Sequence, residues 1–205
     1  MRFTLGLLAG AMLLLAGCGG YRALVDHTKP DSVVSSIIPT SGASGDTVTF
    51  KAAVCSKPNV PDPDYLWNFG GGADPNQSTD VAPVEVLTAG SAVPYNASLT
   101  LTGGCLGVNL KATYPFQLSI APLTVLSVTG TTGHAGDTAS LSVLLGTGTA
   151  TSFAWDFGGG LQTSGATTQN PSGLKFSTVP GLYNGSVTVS NKYESVTQNF
   201  TINVL

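Results

Sequence analysis

The chain is 205 residues long, enough for one large or two small domains, and only 9% of it is charged against a usual ~25%. Its 26 Gly, 12 Pro, 25 Thr and 20 Ser argue against long amphipathic helices, which need Glu, Lys, Arg and Ala on their wet faces, and suit strands joined by turns. A net charge of −3 with scattered lysines and arginines offers no basic patch to nucleic acid, and His27, His134 and three cysteines leave little from which to build a metal centre or a catalytic triad.

The first element is an address. Arg2 precedes an uncharged stretch from Phe3 to Leu15, which has the length and flanks of a signal-peptide core and is short for a membrane span. Leu15-Ala16-Gly17-Cys18 then resembles the lipobox of bacterial lipoproteins. That resemblance implies removal of residues 1–17, a diacylglycerol thioether on Cys18 and a membrane contact made through the acyl chains, each buried CH₂ contributing about 0.8 kcal/mol. Gly19 stands where an inner-membrane retention signal would have Asp, so the resemblance implies the outer membrane, with the protein periplasmic or surface-facing. Residues 18–32 follow no period and contain a proline, which reads as a lipidated tether; as coil, its fourteen residues after Cys18 would span roughly 20 Å.

The remainder is one module written twice. Ser41–Phe50 matches Thr132–Leu141 at an offset of 91, and Tyr65-Leu66-Trp67-Asn68-Phe69-Gly70-Gly71-Gly72 matches Phe153-Ala154-Trp155-Asp156-Phe157-Gly158-Gly159-Gly160 at 88. Tyr95–Leu101 matches Tyr183–Val189 at 88, and Phe116, Leu118 and Ile120 match Phe200, Ile202 and Val204 at 84. The expected domains are 33–121 and 122–205, joined at Ala121-Pro122. In each, apolar residues alternate with Thr, Ser, Asn or Lys over short segments between Gly-rich turns, the period of half-buried antiparallel strands. About seven such segments per copy predict an all-β protein of two tandem sandwiches, with Trp67, Phe69, Tyr95, Trp155, Phe157 and Tyr183 in the cores.

Trp155-Asp156-Phe157-Gly158, followed by Gly181-Leu182-Tyr183 and Val187-Thr188-Val189-Ser190-Asn191, resembles the PKD domain, an immunoglobulin-like sandwich. The likeness covers nearly all of 122–205 and, more loosely, 33–121. Both copies depart from it at the acidic turn, where Gly71 and Gly159 replace the family's second Asp and Asn68 replaces the first in copy one. Such modules serve as spacers, adhesion modules or binders of polysaccharide and protein, so the resemblance implies a non-enzymatic envelope protein with a protein or polysaccharide ligand, or a structural spacer without one.

In an immunoglobulin-like topology the strands bearing Cys55 and Cys105 run in the same direction, so their far ends share a pole. The offsets show copy one to be three residues longer beside Cys55 and four longer beside Cys105. A disulfide stapling the two lengthened loops is expected, worth roughly 3 to 4 kcal/mol in an oxidising compartment. These loops gather Pro58, Val60, Pro61, Pro63 and Leu106 and are the candidate binding pole. Asp46 and Asp137 read as acceptors for turn amides, and His134 as a solvated turn residue. Asp62, Asp64, Asp74 and Asp80 bracket the Trp67 strand without the compact spacing of a calcium loop, no nucleophile elbow is present, and no cofactor is implied.

Overall fold

A computed structural model describes residues 33–205, and the signal core, Cys18 and the tether lie outside the described residues. The first half contributes ten strands: β1 Val34–Ile38, β2 Ser41–Ala43, β3 Thr47–Thr49, β4 Lys51–Val54, β5 Asp64–Asn68, β6 Ala73–Asp74, β7 Gln77–Ser78, β8 Val84–Leu87, β9 Tyr95–Thr102 and β10 Lys111–Ala121. The second contributes nine: β11 Thr124–Thr129, β12 Thr132–Gly133, β13 Thr138–Ala139, β14 Ser142–Thr147, β15 Ser152–Asp156, β16 Gly165–Ala166, β17 Leu174–Lys175, β18 Gly181–Ser190 and β19 Ser195–Val204. A 3₁₀ turn at Gly104–Leu106 is the one helical element among the described residues.

Both halves have the same two-layer topology. One layer is a five-stranded sheet, β2-β10-β9-β5-β7 in the first half and β12-β19-β18-β15-β16 in the second, whose first strand joins its neighbour in parallel and whose others are antiparallel. The facing layer is β1-β4 with β3-β8-β6, matched by β11-β14 with β13-β17 and the Leu161–Phe176 bridge. This order is that of an immunoglobulin-like sandwich.

Each half buries its own core, because alternation sends every second side chain between the layers. Phe50, Trp67, Phe69, Leu99, Leu101 and Leu118 fill the first, and Leu141, Trp155, Phe157, Val187, Val189 and Ile202 the second. An indole cannot be buried without a partner for its N–H. Trp67 Nε1 donates to the Asp80 carbonyl at 2.9 Å and Trp155 Nε1 to that of Thr168 at 2.8 Å, two equivalent positions. The aromatic pairs differ: Trp67 stacks on Phe69 at 6.1 Å, whereas Trp155 and Phe157 are tilted by 35°. Tyr95 and Tyr183 are only half-buried, and their hydroxyls donate to the carbonyls of Ala89 at 2.8 Å and Val179 at 2.9 Å, the tyrosine corner of this fold.

The turn after each Trp-x-Phe strand explains why Asn and Asp exchange there. Asn68 Oδ1 accepts from the Gly70 N–H and Asp156 Oδ1 from the Gly158 N–H, both at 2.9 Å, so the site requires an acceptor and no charge. Gly70 and Gly158 have φ of 65° and 59°, where a Cβ would strike the Asn96 or Asn184 carbonyl oxygen.

Trp155→Ala is expected to cost about 3–5 kcal/mol, as deletion of a buried aromatic does. Asp156→Ala removes one exposed hydrogen bond and should cost about 1 kcal/mol. Denaturant unfolding of the two variants measures both, and equal small losses would contradict the buried indole.

Candidate functional site: the stapled pole and the joint

Cys55 and Cys105 are disulfide-bonded in the structure, with Cα atoms 6.1 Å apart. Cys55 leaves β4 and Cys105 lies in the 3₁₀ turn after β9, so the bond joins the two lengthened loops. Each loop then makes a β-turn. In Lys57-Pro58-Asn59-Val60 the Val60 N–H donates to the Lys57 carbonyl at 3.2 Å, with Pro58 fixing one central φ and Asn59 at φ 62°. In Gly107-Val108-Asn109-Leu110 the Leu110 N–H donates to the Gly107 carbonyl at 3.2 Å, with Asn109 at φ 60°. Lys57 Nζ ties the loops together by donating to the Cys105 carbonyl at 3.1 Å. Aliphatic side chains stand out from the turns: Val108 is 88% exposed, Leu110 57% and Val60 39%. Pro58 and Pro61 are exposed beside them, while Pro63 is buried under the loop and Leu106 is half-buried against the core. The chain enters at this pole, since the Cys55 N–H donates to the Val33 carbonyl at 2.8 Å.

The same pole of the second half meets the first half. Polar contacts between the two halves come from the loop around Thr149 and the Asn191-Lys192-Tyr193-Glu194 hairpin. Asn191 Oδ1 accepts the N–H groups of Tyr193 at 2.8 Å and Glu194 at 2.9 Å, fixing the hairpin, and its Nδ2 reaches Ser44 Oγ at 3.0 Å. The Glu194 carboxylate is the centre of the joint. Its two oxygens accept from the Gly90 N–H at 2.5 Å and the Leu123 N–H at 2.6 Å, charge-assisted bonds that reach one residue in each half. Gly90 must lack a side chain, because the Pro122 backbone occupies that space. Around this centre, Ser44 gives its N–H to Ala121 and takes that of Thr149, both at 2.9 Å, and Thr149 Oγ1 donates to Asp46 Oδ1 at 2.7 Å.

The acidic residues serve structure. Asp46 Oδ2 also accepts the Ala43 N–H at 3.2 Å, the turn role expected of it. Asp74 pairs with Lys192 and accepts from the Tyr193 hydroxyl at 2.8 Å. Hydrogen bonds from Lys192 and then Tyr193 hold the Asp74 carboxyl below the usual carboxylate range. Among the described residues no group of three His, Cys, Asp or Glu is placed to hold a metal ion, so Asp62, Asp64, Asp74 and Asp80 do not assemble into a cation site. His134 is exposed in a turn.

Sequence reasoning missed Glu85. It is 4% exposed, and its Oε2 has no hydrogen-bond partner. Strand pairing shows why this is odd: Thr47 faces Val86 as Thr138 faces Lys175, so Glu85 stands where the second half has Leu174. Burial, aided by Asp80 and then Asp74, pushes its carboxyl above the usual carboxylate range. The signal existed in the sequence, but it required aligning a strand whose two copies share no block of identical residues.

These features define a class, the all-β immunoglobulin-like sandwich proteins. Residues 123–204 match the PKD domain family, which places that family on the second half of the chain. No curated protein matches. Among solved structures, the chain is similar to three N-terminal domains of the bacteriophage RB49 highly immunogenic outer capsid protein, at 13% identity over 84% of this chain and 59% of that one, with a TM-score of 0.47. It thus spans less than two thirds of that structure. It is also similar to the amphioxus IgVJ-C2 molecule at 11% identity, covering 80% and 99% of the two chains with a TM-score of 0.37. For Sidekick-1 immunoglobulin domains 1–5 the values are 12% identity, 83% and 38% coverage, and a TM-score of 0.40.

Glu85→Leu, which copies the second half, should raise stability at pH 7 by about 1–3 kcal/mol, the cost of an unpartnered buried polar group. Because the native carboxyl binds its proton more readily than the unfolded one, the wild type should gain stability as pH falls through the raised native value towards the ordinary carboxylate range, and Glu85→Leu should lose that gain. The Asp74 contribution has the opposite sign, present above the ordinary carboxylate range and lost as pH falls through its lowered value. Unfolding midpoints across the acid range separate the two. Glu194→Ala should speed hydrogen exchange at Gly90 and Leu123 together while leaving amides deep in both cores protected, and unchanged exchange at both would contradict the joint.

Proposed function

We propose that the protein is a non-enzymatic, lipid-anchored cell-envelope module, held through Cys18 at the outer membrane, that carries two PKD-like sandwiches, 33–121 and 122–205, as one stiff unit and binds a protein or polysaccharide ligand. The observation that carries this reading is the Glu194 joint, which fastens the two sandwiches across a short Ala121-Pro122 link and so suits them to presenting a ligand-binding face as one body. The immunoglobulin-like PKD fold is typically non-catalytic, and the Leu-Ala-Gly-Cys block after an apolar core supports the anchor.

A spacer or envelope-assembly subunit without a ligand is the second reading. It is favoured by cross-strand threonines that satisfy each other: Thr100 with Thr113 and Thr188 with Thr197, both at 2.9 Å. The detergent-solubilised full-length protein, applied to an array of envelope and host polysaccharides and to purified surface proteins, decides between them. Saturable binding supports the first reading, and none across both sets supports the spacer. Fatty-acid labelling should mark the wild type and not Cys18→Ala, and an unlabelled wild type would overturn the anchor.

A further inference from the structure

The stapled pole of the first half has a turned-out apolar tip and, among the described residues, nothing covering it. The corresponding pole of the second half is the one that docks, through Asn191–Glu194, and does so with polar groups. We infer that the first half also docks through this pole, and that its occupant is the surface of a lipid bilayer.

Three observations choose that occupant. The described chain enters the fold at this pole, where the Cys55 N–H donates to Val33, so on the lipid-anchor reading this is the end of the fold nearest in sequence to Cys18. The groups that project are Val60, Val108 and Leu110, aliphatic and free of hydrogen-bonding demands, on two β-turns that the disulfide and the Lys57 bond hold side by side. The exposed charges around them balance, with Lys57 and Lys111 against Asp62 and Asp64, so the tip is suited to a neutral interface and does not depend on anionic lipid. Three aliphatic side chains hold weakly in free solution. On the lipid-anchor reading only fourteen residues separate Cys18 from Val33, which limits how far the tip can leave the bilayer and raises its effective concentration there. The stapled end would then face the lipid, with Val179 and Leu182, around the start of β18 in the second half, turned away from it.

The inference rests on the lipid-anchor reading, and its test separates the two. Full-length lipidated protein is reconstituted into phosphatidylcholine vesicles, with tryptophan placed at the tip in Val108→Trp or in the second half in Val179→Trp, positions 88% and 61% exposed. Trp67 and Trp155 are buried and give the wild-type background. With brominated phosphatidylcholine, the added emission of Val108→Trp should fall by about half, as expected for a side chain seated about 5–10 Å into the interface, and that of Val179→Trp should not change. If the vesicles float with the protein but Val108→Trp keeps its emission, the tip does not touch lipid and the inference fails while the anchor stands. If the added indole is shielded from acrylamide yet insensitive to bromine, and cross-linking gives a dimer, a second copy covers the pole and the inference fails. If the wild type does not float with vesicles, the anchor and the inference fall together.

Discussion

Each sandwich is organised by an indole that has to be dry and hydrogen-bonded at once. Trp67 and Trp155 reach the carbonyls of Asp80 and Thr168, which lie thirteen residues on, after the turn and the short edge strand. That single bond fixes where the chain must be when it leaves the five-stranded sheet for the other layer. The consequences run outward from it: the glycine turn that reverses the strand, the alternation that sets Leu99 or Val187 opposite the tryptophan on the neighbouring strand, and the tyrosine corner that closes the crossing into β9 and β18. A sandwich with the same hydrophobic content but no anchored indole could slide by a strand register, which reverses the faces of every residue involved.

With the sheets fixed in this way, the loops at the poles are free to differ, and the two copies use that freedom in opposite directions. The second half shortens the loop between its last two strands to Asn191-Lys192-Tyr193-Glu194 and fills it with groups that need partners. The first half lengthens the same loop, staples it through Cys105 and leaves aliphatic side chains outside. Polar groups suit contact with another part of the same chain, because hydrogen bonds specify one geometry and one register. Aliphatic groups suit a surface without fixed partners.

Much of the fold was legible in the sequence, because period-2 alternation and the repeated Trp-x-Phe-Gly-Gly-Gly block are local signals of a non-local structure. The strand carrying Trp155, its partner from Gly181 and the turn at Gly158 all lie where the pattern places them. The pairing of Cys55 with Cys105 was accessible for a related reason: topology brings two strand ends to one pole, and the extra residues fall there. The joint was not accessible, since hydrogen bonds from Glu194 to the amides of Gly90 and Leu123 involve backbone groups that carry no mark in the sequence. Asp74 shows the same limit. Its neighbours in sequence suggested a loop acid, and only the docking of Lys192 and Tyr193 gives it a role.

Glu85 and Asp74 together show how the first half departs from its twin. They lie on the paired strands β8 and β6, with Asp74 facing Val86, and the Asp74 charge, after that of Asp80, adds to the cost of ionising Glu85. Asp74 is held ionised by the second half, which supplies a cation and a hydroxyl. Glu85 has no such supply, and its carboxyl is pushed up accordingly. The joint therefore does more than fasten two sandwiches. It also supplies the Lys192 and Tyr193 hydrogen bonds that keep the Asp74 carboxyl ionised. A leucine at position 85 would remove the unpartnered carboxyl directly, as Leu174 does in the twin.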